Sequence, residues 1–174
     1  MTQQAVALVA PAWGASLGFA ANFSGRWGLV SSARQLIAEL CTEYLEPTES
    51  SAALVMAAQE LLENLAKYAT DDSASFEFSL ALGAQGSEVT LRTKNAAAEA
   101  HLAQATSYLE RIVTATDPVA LYDEWVASSA EREGSRLGLI RLRAEAGLSL
   151  DFANEAGRLC IEARGVVEPR MRRA

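Results

Sequence analysis

The sequence predicts an α/β (α+β) two-layer sandwich, a mixed, mostly antiparallel sheet with helices on one face. Three observations carry this. Runs 75–82 (SFEFSLAL) and 88–94 (EVTLRTK) alternate apolar and polar residues across a Gly-containing turn, the pattern of a hairpin that buries one face. Run 51–70 (SAALVMAAQELLENLAKYAT) reads as one long helix with a broad apolar arc, a ready cover for that face. The order of elements is strand, helix, helix, hairpin, helical insertion, helix, hairpin, with no internal repeat.

Residues 1–15 are ambiguous: Ala5 to Val9 suit an edge strand, which Pro11 and Gly14 break. Run 16–23 (SLGFAANF) reads as a strand and Ser24-Gly25 as a turn. Run 27–45 has Leu29, Ala33, Leu36, Ile37, Leu40 and Tyr44 at helical spacing, and Pro47 stops it. The helix over 51–70 follows, with Ser50 or Ser51 as N-cap. Its interior holds good helix formers and neither Gly nor Pro. Phe76, Phe78, Leu80 and Leu82 alternate in the first hairpin strand, as do Val89, Leu91 and Thr93 in the second. Residues 96–131 are helical by composition, with Leu102, Ala105, Tyr108, Leu109 and Ile112 on one side of 96–114. Asp117-Pro118 restarts a helix whose apolar side is Leu121, Tyr122 and Trp125. A Gly-containing stretch, 131–138, then runs into a helix ending at Ala146-Gly147. Runs 148–152 and 159–163 close the chain as a hairpin.

The chain has 174 residues, half of them hydrophobic, enough for a single domain over 1–174. Its net charge of −7 argues against nucleic acid and against an anionic membrane surface as partners. Arg170, Arg172 and Arg173 form a short basic tail. Cys41 and Cys160 stand in no metal or redox spacing and read as reduced core residues of a cytoplasmic protein. A single histidine, His101, cannot build a metal site with a second one. No apolar stretch is long enough to span a bilayer, so no membrane association is expected. The apolar run near the N-terminus has no basic residue before it and does not read as a signal peptide. The tryptophans Trp13, Trp27 and Trp125 read as core or partner-contact residues.

On a helical wheel Leu54, Val55, Ala58, Leu61, Leu62, Leu65 and Ala69 share the apolar arc. Glu60, Asn64, Lys67 and Tyr68 fall opposite it. A solvated surface is the better-supported reading on spacing alone. The other reading is a site: an acid and an amide oxygen one turn apart converge on one point and suit a hard cation such as Mg²⁺. The stretch Gly134-Ser-Arg136-Leu-Gly138 also has two readings, an ordinary turn or a helix start that seats phosphate.

The stretch from Glu60 through Asn64, Lys67 and Tyr68 to Ala69 resembles the N-box of the GHKL (Bergerat-fold) ATPases, among them gyrase, Hsp90, histidine kinases and MutL. Gly134 to Ile140 is similar to the GxGLGL box of that superfamily, and the similarity runs over a core of about 16–166, with residues 96–133 as a helical lid insertion. Size and layout look closest to the stand-alone anti-sigma-factor serine kinases and to SiaB-type protein kinases of bacterial partner switching. The resemblance implies ATP and Mg²⁺ as cofactors, with Asn64 as metal ligand and Glu60 as general base. It implies Lys67 near a phosphate, Tyr68 lining the nucleotide pocket, and Gly134 and Gly138 letting backbone approach the phosphates. It implies phosphorylation of Ser or Thr on a small regulatory partner, a STAS-like or SiaC-like antagonist or a sigma factor, and by analogy a homodimer.

Two departures stand out. The DxGxG box is missing, and Asn95 stands at the corresponding strand end, where its amide oxygen can meet an adenine amino group. Arg136 replaces the middle glycine of the second box; it either contacts the phosphates as a cation or occupies their place. The alternative function is a degenerate, non-catalytic domain that binds a partner protein. A histidine-kinase-like half is the weakest reading, since no H-box histidine precedes the domain.

Overall fold

The computed structural model describes residues 16–23, 27–71, 73–83, 85–129 and 137–170. The expected edge strand at Ala5 to Val9, the turn at Ser24-Gly25, Trp13, Gly134, Arg136 and the end of the basic tail lie outside them. In chain order the elements are β1 (Ser16–Phe23), α1 (Trp27–Tyr44), α2 (Glu49–Tyr68), β2 (Ala74–Ala81), β3 (Ser87–Ala96), α3 (Glu99–Thr114), α4 (Pro118–Ser129), α5 (Gly138–Ala144), β4 (Ser149–Glu155) and β5 (Arg158–Val167). The strands form one sheet in the order β1-β2-β3-β5-β4. Every pairing among them is antiparallel.

Period-two alternation decides which way the sheet faces. Ala74, Phe76, Phe78 and Leu80 of β2, Val89 and Leu91 of β3, and Leu159, Ile161 and Ala163 of β5 are buried. The other face carries charge. Arg92 pairs with Glu77 at 3.4 Å and with Glu162, and Glu162 also pairs with Arg164. Such a lattice suits water, so the helices cover the apolar face alone and the molecule has two layers.

The helix α2 lies against β2 and β3, with α1 on one flank and α5 on the other. Leu54, Ala57, Ala58, Leu61, Leu62 and Leu65 are its buried residues. Its N-cap is Thr48, upstream of the serines expected from sequence. The Thr48 hydroxyl accepts from the Ser51 amide at 3.3 Å, and the Ser51 hydroxyl accepts from the Thr48 amide at 3.0 Å, a reciprocal capping box. The inserted helices are part of the core. Leu109 and Ile112 of α3 are fully buried, and Trp125 of α4 packs edge-on against Tyr108, ring centroids 5.4 Å apart. Arg143 of α5 donates to the carbonyl oxygens of Ile112, Val113 and Ala115, closing the C-terminal end of α3 and tying it to α5.

Two details of the closing strands differ from the sequence reading. Asn154 and Glu155 belong to β4, so the hairpin turn is the two-residue pair Ala156-Gly157, both at positive φ (51° and 80°). Cys41 is a core residue as expected, but Cys160 is only half-buried, because it falls on the outward-facing alternate of β5. Among the described residues no helix is long and apolar enough to cross a membrane.

Candidate functional site

Between α2, α3, α5 and the sheet lies a hollow of about 120 Å³. At ~10–15 Å³ per water it has space for a small organic group rather than a single solvent molecule. Five of the residues singled out from sequence line it: Glu60, Asn64 and Tyr68 from α2, Asn95 from β3 and Gly138 from α5. Glu60 and Asn64 therefore look into a cavity and are half-buried, not set on an open surface.

Helix geometry explains which members of the motif turn inward. Each residue advances about 100°, so i+4 rotates some 40° one way and i+7 rotates some 20° the other. From Glu60, the steps to Asn64 and Tyr68 rotate toward Leu61 and Leu65 and so toward the core. The step to Lys67 rotates outward. Lys67 is exposed and does not line the hollow; its Nζ sits 5.1 Å from the centre of the Tyr68 ring. Gly134 and Arg136 fall outside the described residues.

The floor is the central strand. Thr93 and Asn95 continue the inward-facing series of Val89 and Leu91, and both are buried, at 3% and 7% exposure. Polar side chains in that register are costly unless something meets them. The Asn95 amide nitrogen donates to the carbonyl oxygen of Ala96 at 3.2 Å, which leaves its oxygen as an acceptor. Apolar walls come from Leu61 and Leu65 of α2, Leu102 and Ile112 of α3, and Leu159 and Ile161 of β5. An apolar slot with a few placed polar groups is the usual make-up of a small-molecule site.

Sequence reasoning missed the contribution of α3. His101, Gln104, Ala105 and Tyr108 line the hollow at i, i+3, i+4 and i+7, and His101 meets the Tyr68 ring edge-on at 5.4 Å. The signal was present as a polar and aromatic stripe on a helix whose Leu102, Leu109 and Ile112 are core. Thr93 reads from sequence as a strand alternate at the strand end that departs from the DxGxG box, not as a lining residue.

The electrostatics centre on Glu60. Burial raises its carboxyl above the ordinary range, and the Arg141 guanidinium opposes that, its Nη1 donating to Glu60 Oε1 at 3.1 Å. Glu63 and Glu145 add a smaller upward push. The Glu60 Oε2 lies against Gly138, where a Cβ would stand 2.1 Å from it. Gly138 is thus needed for close approach of a carboxylate to the start of α5. No described residue hydrogen-bonds the Asn64 carboxamide. Among the described residues no group of three or more His, Cys, Asp or Glu could hold a metal by itself. One amide oxygen beside one carboxylate fits a hard cation that keeps several waters and takes further oxygens from a ligand, the habit of Mg²⁺. The arrangement can accept a proton, bind a hydrated cation and enclose a flat apolar group.

The fold and site together define a helix-covered antiparallel sheet with a hollow between the layers. That architecture is shared with a chain of the crystal structure of the SiaB–SiaC complex from Pseudomonas aeruginosa, at a TM-score of 0.60 and 16% sequence identity, over 85% of this chain and 89% of that one. The likeness shows a SiaB-like fold. No family model and no curated protein matches the chain.

Proposed function

We propose that this chain is an ATP-binding regulatory protein of the GHKL superfamily, of the anti-sigma-factor and SiaB-like kinase type. It phosphorylates a Ser or Thr of a small partner protein in a bacterial partner-switching system. The observation that carries the reading is that Glu60 and Asn64, one helical turn apart, line one hollow whose floor ends in a buried asparagine. The shared fold with a chain of a two-protein complex supports a protein partner, of which a SiaC-like antagonist is the nearest candidate.

In this reading Asn64 would be the protein's ligand to Mg²⁺, and Tyr68, the apolar walls and the Asn95 carboxamide would hold the adenine base. Mg–ATP supplies the phosphoryl group and neutralises its charge. What the chain does is position and exclude water, which is most of what phosphoryl transfer asks of a protein. Glu60 would take the proton of the partner's hydroxyl as that oxygen bonds to the γ-phosphorus and the bond from phosphorus to the β,γ-bridging oxygen breaks, ADP leaving with that electron pair. Gly134 and Arg136 belong to the phosphate loop in this proposal.

The test is transfer of labelled phosphate from ATP to a SiaC-like partner, with wild type and with Glu60→Gln. The expected result is transfer that falls by about 10²–10⁴-fold in the variant. Equal labelling by both proteins removes Glu60 from the chemistry. One observation favours a second reading, a non-catalytic binding module. Asn95 is a neutral amide where the superfamily has an acid, which weakens the hold on adenine. In that case Asn64→Ala and Glu60→Gln leave partner binding and output unchanged.

A further inference from the structure

We infer that Arg141 is the positioning residue of Glu60, holding the carboxylate by one oxygen so that the other, Oε2, is presented to a substrate hydroxyl. The inference rests on the nucleotide-dependent reading above. Arg141 does not line the hollow, whereas Glu60 does. Each of its three guanidinium nitrogens meets a carboxylate oxygen. The Nη1 donates to Glu60 Oε1 at 3.1 Å, the Nε donates to Glu145 Oε1 at 3.0 Å, and the Nη2 pairs with Glu145 Oε2 at 3.0 Å. The Tyr122 hydroxyl is close enough to help lower the Glu145 carboxyl. A planar fork bridged between two carboxylates is fixed in direction, and a lysine could not make the same set of bonds.

The chain of contacts crosses three elements. Tyr122 is on α4, Arg141 is on α5 with Glu145 one turn further on, and Glu60 is on α2. With Oε1 engaged and a glycine at 138, Oε2 is the oxygen left without a guanidinium partner. A cation tied this way does not turn toward phosphates in the hollow. It acts through Glu60, and so belongs to catalysis and not to nucleotide affinity.

The experiment measures Mg–ATP affinity by calorimetry, and kcat and KM for transfer, on wild type, Arg141→Gln, Arg141→Lys and Glu145→Gln. Arg141→Gln is expected to keep nucleotide affinity within about twofold while kcat falls at least tenfold. Arg141→Lys recovers part of the loss, because it restores charge without the fork. Glu60→Gln combined with Arg141→Gln is no worse than Glu60→Gln alone, since both remove one function. Should Arg141→Gln fail to fold, Glu145→Gln, which frees the fork, shows the same fall in kcat at constant affinity. Nucleotide affinity lost at constant kcat, additive losses in the double variant, or no change in an active protein each overturn the inference. Absence of nucleotide binding by wild type is a different outcome; it removes the proposed function and this inference with it.

Discussion

A β-carbon on Gly138 would stand 2.1 Å from Oε2 of Glu60 and 2.9 Å from its Cδ. These atoms are the far end of a flexible side chain, so the fold has an easy way out: the carboxylate swings aside. Gly138→Ala is therefore expected to leave the melting temperature within a few degrees of wild type, alanine being about 1 kcal/mol better than glycine in a helix. Turnover, in contrast, falls with the displaced carboxylate. Thermal unfolding followed by a transfer assay checks both; a large loss of stability with intact turnover goes against this account of the contact.

The two thiols differ in access. Burial pushes the Cys41 thiol up to about 11, and the residue is 4% exposed. Cys160 is also raised by burial, but it is half-buried beside Lys94 and Glu155, the former lowering it. Only the thiolate attacks an alkylating agent. Native protein at neutral pH is expected to label at Cys160 first, with Cys41 labelled only after denaturant is added. Mass spectrometry of the labelled peptides reads the order directly.

Ala156 opens the β4–β5 turn at φ 51°. A residue with a β-carbon is disfavoured there by about 1–2 kcal/mol, and the adjoining Gly157, at φ 80°, is the residue type such turns prefer. Ala156→Gly should raise unfolding free energy by up to about 1 kcal/mol, the remainder offset by the extra freedom of glycine in the unfolded chain. Urea titration measures it; a loss of stability would show that the turn tolerates alanine without strain.

The hydrogen bond from Arg141 holds the Glu145 carboxyl below the ordinary glutamate range, with Tyr122 also contributing. A carboxyl depressed in the folded state stabilises above its unfolded pKa, and that stability is lost as pH falls. Glu60 runs the other way: raised by burial, it favours the folded state more when protonated. Acidification below about pH 4.5 should therefore destabilise wild type through Glu145. Glu145→Gln should flatten that limb of a melting-temperature profile, whereas Glu60→Gln should not. An unchanged acid limb in Glu145→Gln would mean that this ion pair is fully screened.

Much of the fold was legible because its signals are local. The alternation of Phe76, Phe78 and Leu80 and the broad apolar arc of α2 each depend on a few neighbours, and both set the burial that is observed. The site was legible for Glu60, Asn64 and Tyr68, whose spacing fixes a common direction. Lys67 shares their side of the wheel, but a wheel shows a face and not the roughly 60° by which i+7 departs from i+4. Arg141 gave no signal, since its partner lies 81 residues away. The same holds for Tyr108 and Gln104, which join the hollow through the packing of α3 against the core. Thr48 was passed over as a cap because two serines follow it; the reciprocal bond with Ser51 decides between them.

Isothermal calorimetry of Mg–ATP on wild type and on Asn64→Ala tests the central claim most directly, because Asn64 faces the hollow from a helix whose packing the substitution leaves intact. The account predicts measurable heat and one site per chain for wild type, and loss of Mg²⁺-dependent binding in the variant at unchanged melting temperature. No heat from folded wild type at millimolar nucleotide, or equal binding by both proteins, contradicts it.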